Sequence, residues 1–225
     1  VFIYVCHGRF HGFLSIFYLC MQTLKIIFMC KTDYLTRLTE AYDFTVRNLH
    51  GGDASYTSGL HLKQYDDASI REAYKLVQDM LAAVHPFFIC NKCHFICLGV
   101  NRLLRDNHFH PVLTTGYILL NHWEKEYYTN RKELFEQLKG ILHPMKLQYH
   151  VWLTLGDYII DPTYITTHLI LNPGTCPQRE SYDNRIILFK HTDGAFEYGN
   201  DILEYIPQLT GTSLFERWMS LQARL

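Results

Sequence analysis

Tyr149-His150-Val151-Trp152-Leu153-Thr154-Leu155-Gly156-Asp157-Tyr158-Ile159-Ile160-Asp161-Pro162-Thr163 is the stretch on which the fold turns. β-Branched and aromatic residues crowd both ends, with turn chemistry at Gly156-Asp157 between them. The stretch therefore reads as a β-hairpin with arms at 147–155 and 158–160. Successive strand residues alternate between the two faces of a sheet. His150 and Asp161 can therefore meet across adjacent strands in a register that sends both to one face.

Upstream of the hairpin the pattern is helical. Tyr34, Leu35, Leu38, Ala41, Tyr42, Val46 and Leu49 recur at helical spacing behind a Thr32-Asp33 cap and stop at Gly51-Gly52. The polar stretch 51–67 reads as a loop. Ser69 and Glu72 then form a capping box for a second helix carrying Ile70, Ala73, Tyr74, Val77, Leu81 and Val84, ended by Pro86. Residues 93–105 predict a third, more buried helix and 112–120 a strand. A short helix is expected over 131–139, boxed by Asn130 and Glu133 and stopped at Gly140, followed by a strand at 186–190. Ser213 with Glu216 opens a final helix carrying Phe215, Trp218 and Leu221. Helices early and strands late imply an α+β fold, with N-terminal helices packed on an antiparallel sheet.

Composition supports a buried core. The 225 residues are 48% hydrophobic and 15% aromatic, enough for a single globular domain. The 21 Lys and Arg nearly cancel the 22 Asp and Glu, and no run of five or more like charges occurs. Nothing here calls for nucleic acid or an anionic membrane. Seven cysteines make an odd count in a chain too long to need staples, which points to reduced thiols and a cytoplasmic setting. Residues 10–24 are apolar, but His11, Gln22 and Thr23 interrupt them and Lys25 closes them short of a membrane span. The first methionines are Met21 and Met29, so the apolar residues 1–28 are expected to be a fragment edge or upstream sequence outside the natural domain. The domain is expected over 29–225, with its motifs at 90–165.

Cys93 opens the third helix, so the chain presents in order a thiol, an imidazole and a carboxylate. Acyl transfer through a thioester needs a nucleophile, a base and an orienting group of these kinds. Each is common alone: cysteines fill helix cores, histidines sit in aromatic strands, and Asp-Pro-Thr is ordinary turn chemistry. Their order and the secondary structure under each join them. Cys93, Leu103-Leu104-Arg105, Gly116-Tyr117, His150-Val151-Trp152 and Asp161-Pro162-Thr163 together resemble the core of the transglutaminase-like superfamily of papain-related cysteine enzymes. That resemblance implies a Cys-His-Asp triad: Cys93 the nucleophile at a helix N-terminus, His150 its base and Asp161 the orienting carboxylate. It further implies a peptide or protein substrate with a reactive amide, and no cofactor. The acyl-enzyme is resolved by water or by an amine, and hydrolysis is favoured because water needs no second-substrate site.

The chain departs from the family pattern at His108-Phe109-His110-Pro111-Val112 and at Leu153-Thr154, so the resemblance does not say which peptide or protein is the substrate. Trp152 is expected as a core wall shielding the site. Asn91 is a candidate oxyanion donor beside the Cys93 N–H, and Cys97 is core filler or a resolving thiol under oxidation. Residues 51–67 and 121–130, with Trp123, Tyr127 and Tyr128, are the expected substrate-facing loops. Three other readings compete. Cys90-Asn91-Lys92-Cys93-His94 matches a haem-attachment pattern. Cys90 and Cys93 with Cys97, His108 or His110 would make half a zinc site. A catalytically silent interaction module is the third.

Overall fold

The computed structural model describes residues 33–49, 60–140, 148–172 and 185–222, with side chains through Arg217. The apolar segment 1–28, the Thr32 cap and the side chains of Trp218 and Leu221 lie outside them. Tyr34–Leu225 forms one compact unit.

The elements follow the order α1 Tyr34–Leu49, α2 Asp67–Ala82, α3 Pro86–Ile89, α4 Cys93–Asp106, β1 Val112–Leu120, β2 Glu124–Glu126, α5 Arg131–Leu138, β3 His150–Leu155, β4 Tyr158–Asp161, α6 Tyr164–Leu171, β5 Ile187–Lys190, β6 Phe196–Tyr198, β7 Asp201–Thr210 and α7 Ser213–Gln222. In the described residues the strands make one antiparallel sheet in the order β5-β4-β3-β1-β7-β6, with β2 also paired to β1. The fold is α+β. No helix among the described residues is long and apolar enough to cross a membrane.

Several boundaries are corrected. α2 starts at Asp67 rather than after a Ser69–Glu72 box, because Asp66 caps it: its side chain accepts from Ser69 N at 2.8 Å. The loop expected through 67 therefore ends at Asp66. α2 stops at Ala82, so Val84 lies outside it, and Pro86 opens a further turn, α3, as a proline at the first helical position can. Asn130 does cap α5, accepting from Glu133 N at 3.0 Å. Glu133 answers the Asn130 side chain at 2.7 Å rather than its backbone, and the helix ends at Leu138, not 139. α4 runs one residue past 105, and β5 starts one residue after 186.

Two layers of side chains flank the sheet. Val151, Leu153, Leu155 and Ile160 join Val77, Leu81, Cys97 and Leu104 in one core cluster, so α2 turns its apolar stripe inward. Trp152, Ile159, Ile118 and Tyr205 join Tyr34 and Leu38 of α1 in the other. All six residues of β3 are buried, as a strand covered on both faces requires.

Gly116 is where the strands come too close for a side chain. It stands opposite His150 on β3 and Pro207 on β7, at a register shift between Thr115 and Gly116. A Cβ there would lie 2.0 Å from the Ile206 carbonyl oxygen and 2.9 Å from the Trp152 indole. The backbone oxygen cannot move without breaking the β1–β7 ladder. Gly116→Ala is expected to lose about 3 kcal/mol of stability, a fall of roughly 10 °C in Tm by differential scanning calorimetry. An unchanged Tm would show that the strands can separate at no cost.

Candidate functional site

The register Leu153↔Ile160, Thr154↔Ile159 and Leu155↔Tyr158 decides the faces. Extending it one step sets Asp161 opposite Trp152 and diagonal to His150, with all three on the same face. His150 Nε2 and Asp161 Oδ2 are 2.6 Å apart. With Nε2 taken, Nδ1 is the nitrogen left facing away from Asp161, and Cys93 is close enough to the ring to favour its charged form. Cys93 is the first residue of α4, where backbone N–H groups have no intrahelical acceptor. The structure thus brings Cys93, His150 and Asp161 into one file.

Their environments differ in a useful way. Cys93 and His150 line a cleft of about 870 Å³ together with Asn91, Glu126, Tyr127 and Gln148, whereas Asp161 is completely buried beneath it. The carboxylate accepts five hydrogen bonds. Oδ1 takes Thr163 N at 2.9 Å, Thr163 Oγ1 at 3.1 Å and Tyr164 N at 3.1 Å. Oδ2 takes the Tyr205 hydroxyl at 2.7 Å and His150. Burial alone would push Asp161 up; the charge on His150 and these donors hold it below the usual carboxylate value. Burial likewise works against a charged His150, but Asp161 and the contact with Cys93 raise it above 6.5, toward imidazolium.

Four aromatic rings enclose that imidazole: Tyr127 at 5.3 Å, Tyr164 at 5.9 Å, Trp152 at 6.1 Å and Tyr205 at 6.4 Å between centroids. Trp152 is fully buried and is the shielding wall expected of it, its indole N–H donating to Tyr34 Oη at 2.9 Å. Tyr127 forms part of the cleft wall from a backbone at φ 59°, a conformation costly for a tyrosine. Tyr164 donates to Glu126 Oε2 at 2.7 Å and so ties β2 to the start of α6.

Of the expected substrate-facing segments, 124–127 of the second line the cleft while Trp123 and Tyr128 do not; residues 60–67 of the first do not, and 51–59 lie outside the described residues. Asn91 lies on the cleft at φ 57°. Cys97 is buried and its thiol donates to the Val151 carbonyl at 3.1 Å, as a cysteine packed into the core does. Among the described residues no three His, Cys, Asp or Glu side chains converge as a metal set would. His94 is buried, with Nδ1 3.0 Å from the Tyr149 hydroxyl. Cys90 stands at the C-cap of α3 rather than on α4. The haem and zinc readings of 90–94 therefore gain nothing from the geometry.

Sequence reasoning missed Tyr205, Tyr164 and Glu126. Tyr205 sits on β7, whose Pro207 and charges disguise a strand; its proline fits because β6 pairs only as far as Leu203, leaving that edge of β7 open at 207. No protein-family model, curated protein or solved structure matches the chain.

Burial lowers His94 to about 4, so the unfolded chain takes up its proton first. Its stabilising contribution is full above pH 6.5 and is lost as pH falls toward 4. His150 has the opposite sign: raised in the fold, it stabilises fully below pH 6.5 and loses that contribution as pH rises. Tm is expected to peak near neutrality. His94→Gln should flatten the acid side between pH 6.5 and 4, and His150→Gln the alkaline side. Parallel Tm–pH curves for wild type and both variants would contradict this.

Proposed function

We propose that the protein is a cysteine-dependent acyl-transfer enzyme with a papain-like, transglutaminase-like core, acting on an amide of a peptide or protein. One observation carries the reading: a thiol at a helix N-terminus and an imidazole share an open cleft, and the carboxylate that orients the imidazole is sealed behind them.

The roles follow from position. Cys93 attacks the amide carbonyl as thiolate, the form in which a thiol is nucleophilic. The oxyanion is met by the backbone N–H of Cys93 at the start of α4 and by Asn91 on the cleft. His150, held as imidazolium by Asp161, gives its proton to the leaving amine. The resulting thioester is resolved by water, activated by the then neutral imidazole; an amine in place of water would make the reaction a transamidation. Asp161 keeps Nε2 protonated and leaves Nδ1 for sulfur.

Iodoacetamide at pH 6 on the native chain, followed by peptide mapping, tests the nucleophile. Free thiols of pKa near 8.5 are only about 0.3% ionised at that pH, so an imidazole-paired thiol should react on the order of 100 times faster. Rapid alkylation of Cys93, lost in His150→Ala while Cys97 stays unlabelled, is the expected result. Cys93→Ala should fold normally and be inert toward peptide amides. Alkylation of Cys93 at the same slow rate with and without His150 would reject the reading in favour of a silent interaction module.

A further inference from the structure

We propose that Tyr205 is a positioning residue for this assembly, its hydroxyl fixing the direction in which the buried Asp161 carboxylate presents Oδ2 to His150. The inference rests on the triad reading above but adds a residue from a strand that contributes nothing else to it.

Tyr205 Oη is 2.7 Å from Asp161 Oδ2, the same oxygen that meets His150 Nε2 at 2.6 Å. Oδ1 is already saturated by the three donors at the start of α6. Without Tyr205, the only group on Oδ2 would be the imidazole whose proton affinity changes during reaction. A carboxylate held on one side only can swing with it. Tyr205 cannot swing: its ring packs edge-on to Trp152 at 5.1 Å and against Phe189 at 5.8 Å, and it is 3% exposed. The hydroxyl reaches Asp161 across the faces of β1 and β3, where Gly116 supplies no side chain and the Trp152 ring packs close to it.

The charged and titratable groups around Asp161 and His150 come from every packed element. They are Cys93 and Cys97 from α4, Glu126 from β2 with Tyr127 just beyond it, Tyr164 from α6 and Tyr205 from β7. Only Tyr205 among these donates a side-chain hydrogen bond to Oδ2 besides His150. An O–H bonded to a carboxylate favours its charged form, so removing the hydroxyl raises the pH at which Asp161 takes a proton. Once protonated, Asp161 no longer balances the imidazolium, and Cys93 loses its partner.

The test uses the full chain as Tyr205→Phe, which keeps the ring, and as a chain carrying 3,5-difluorotyrosine at position 205, which keeps the bond and strengthens the donor. The readouts are the pH profile of Cys93 alkylation and the pH titration of the His150 ring-proton resonance. In Tyr205→Phe the acid limb of both should move up by about one pH unit, a roughly tenfold slower alkylation on that limb. The fluorinated chain should move it down. Acid limbs that stay in place in the proteins that fold would overturn the proposal, and a lower Tm alone would then mark Tyr205 as core packing. Where Tyr205→Phe does not fold, the fluorinated chain decides. The ring-proton titration needs no reactive thiol, so an inert Cys93 would sink the triad reading without bearing on Tyr205.

Discussion

A carboxylate with no exposed surface is the constraint on which the rest of this structure depends. An ionised group without water must be fully hydrogen-bonded and paired, or it becomes neutral. Asp161 meets that demand with five donors drawn from β3, the first turn of α6 and β7. The β7 donor, Tyr205, lies 44 residues from Asp161 in sequence. The mutual placement of these elements is therefore set by one anion, and any movement of one of them leaves a buried charge short of a partner.

The same anion organises the helix that follows it. α6 has the sequence Tyr-Ile-Thr-Thr-His-Leu-Ile-Leu, rich in β-branched residues that resist helix formation. It begins where Asp161 Oδ1 accepts Thr163 N and Tyr164 N, two of the orphan donors of a helix start, and where negative charge also suits the helix dipole. Tyr164 then reaches back to Glu126 and holds β2 against the cleft, which keeps Tyr127 over His150. Anchor, helix start, strap and imidazole form one connected circuit.

Local patterns made much of this legible. Val112–Leu120 and the arms around Gly156-Asp157 could be read because apolar alternation and turn residues are local signals, and the hairpin allowed His150 and Asp161 to meet but left open the register that sends both to one face. Cys93 at a helix start was legible for the same reason. The donors to Asp161 were not. Tyr205 lies 44 residues from Asp161, on a strand whose Pro207 argues against a strand at all, and the two meet only through the order β4-β3-β1-β7. Asp66 displaced Ser69 as a cap because both residues are good caps and only the backbone decides between them. β-Branched α6 was hidden because its start depends on a side chain outside the helix.

Cys93 and Cys97 show how little of the chemistry resides in residue type. Both lie on α4, one turn apart, and both are partners of the same core cluster. Cys97 faces the core and spends its S–H on the Val151 carbonyl; burial drives its thiol far toward the protonated form, and the nearby negative charges add to that. Cys93, at the helix start, is half-buried and opens on the cleft that His150 also lines. One turn along α4 separates a buried thiol from one that opens on a cleft beside His150. What α4 contributes is therefore its starting point: had the helix begun a turn earlier, the N–H of Cys93 would be tied into the ladder instead of left without an intrahelical acceptor. Asn91, held at φ 57° two residues before Cys93, and the α3 turn ahead of it are what stop the helix there.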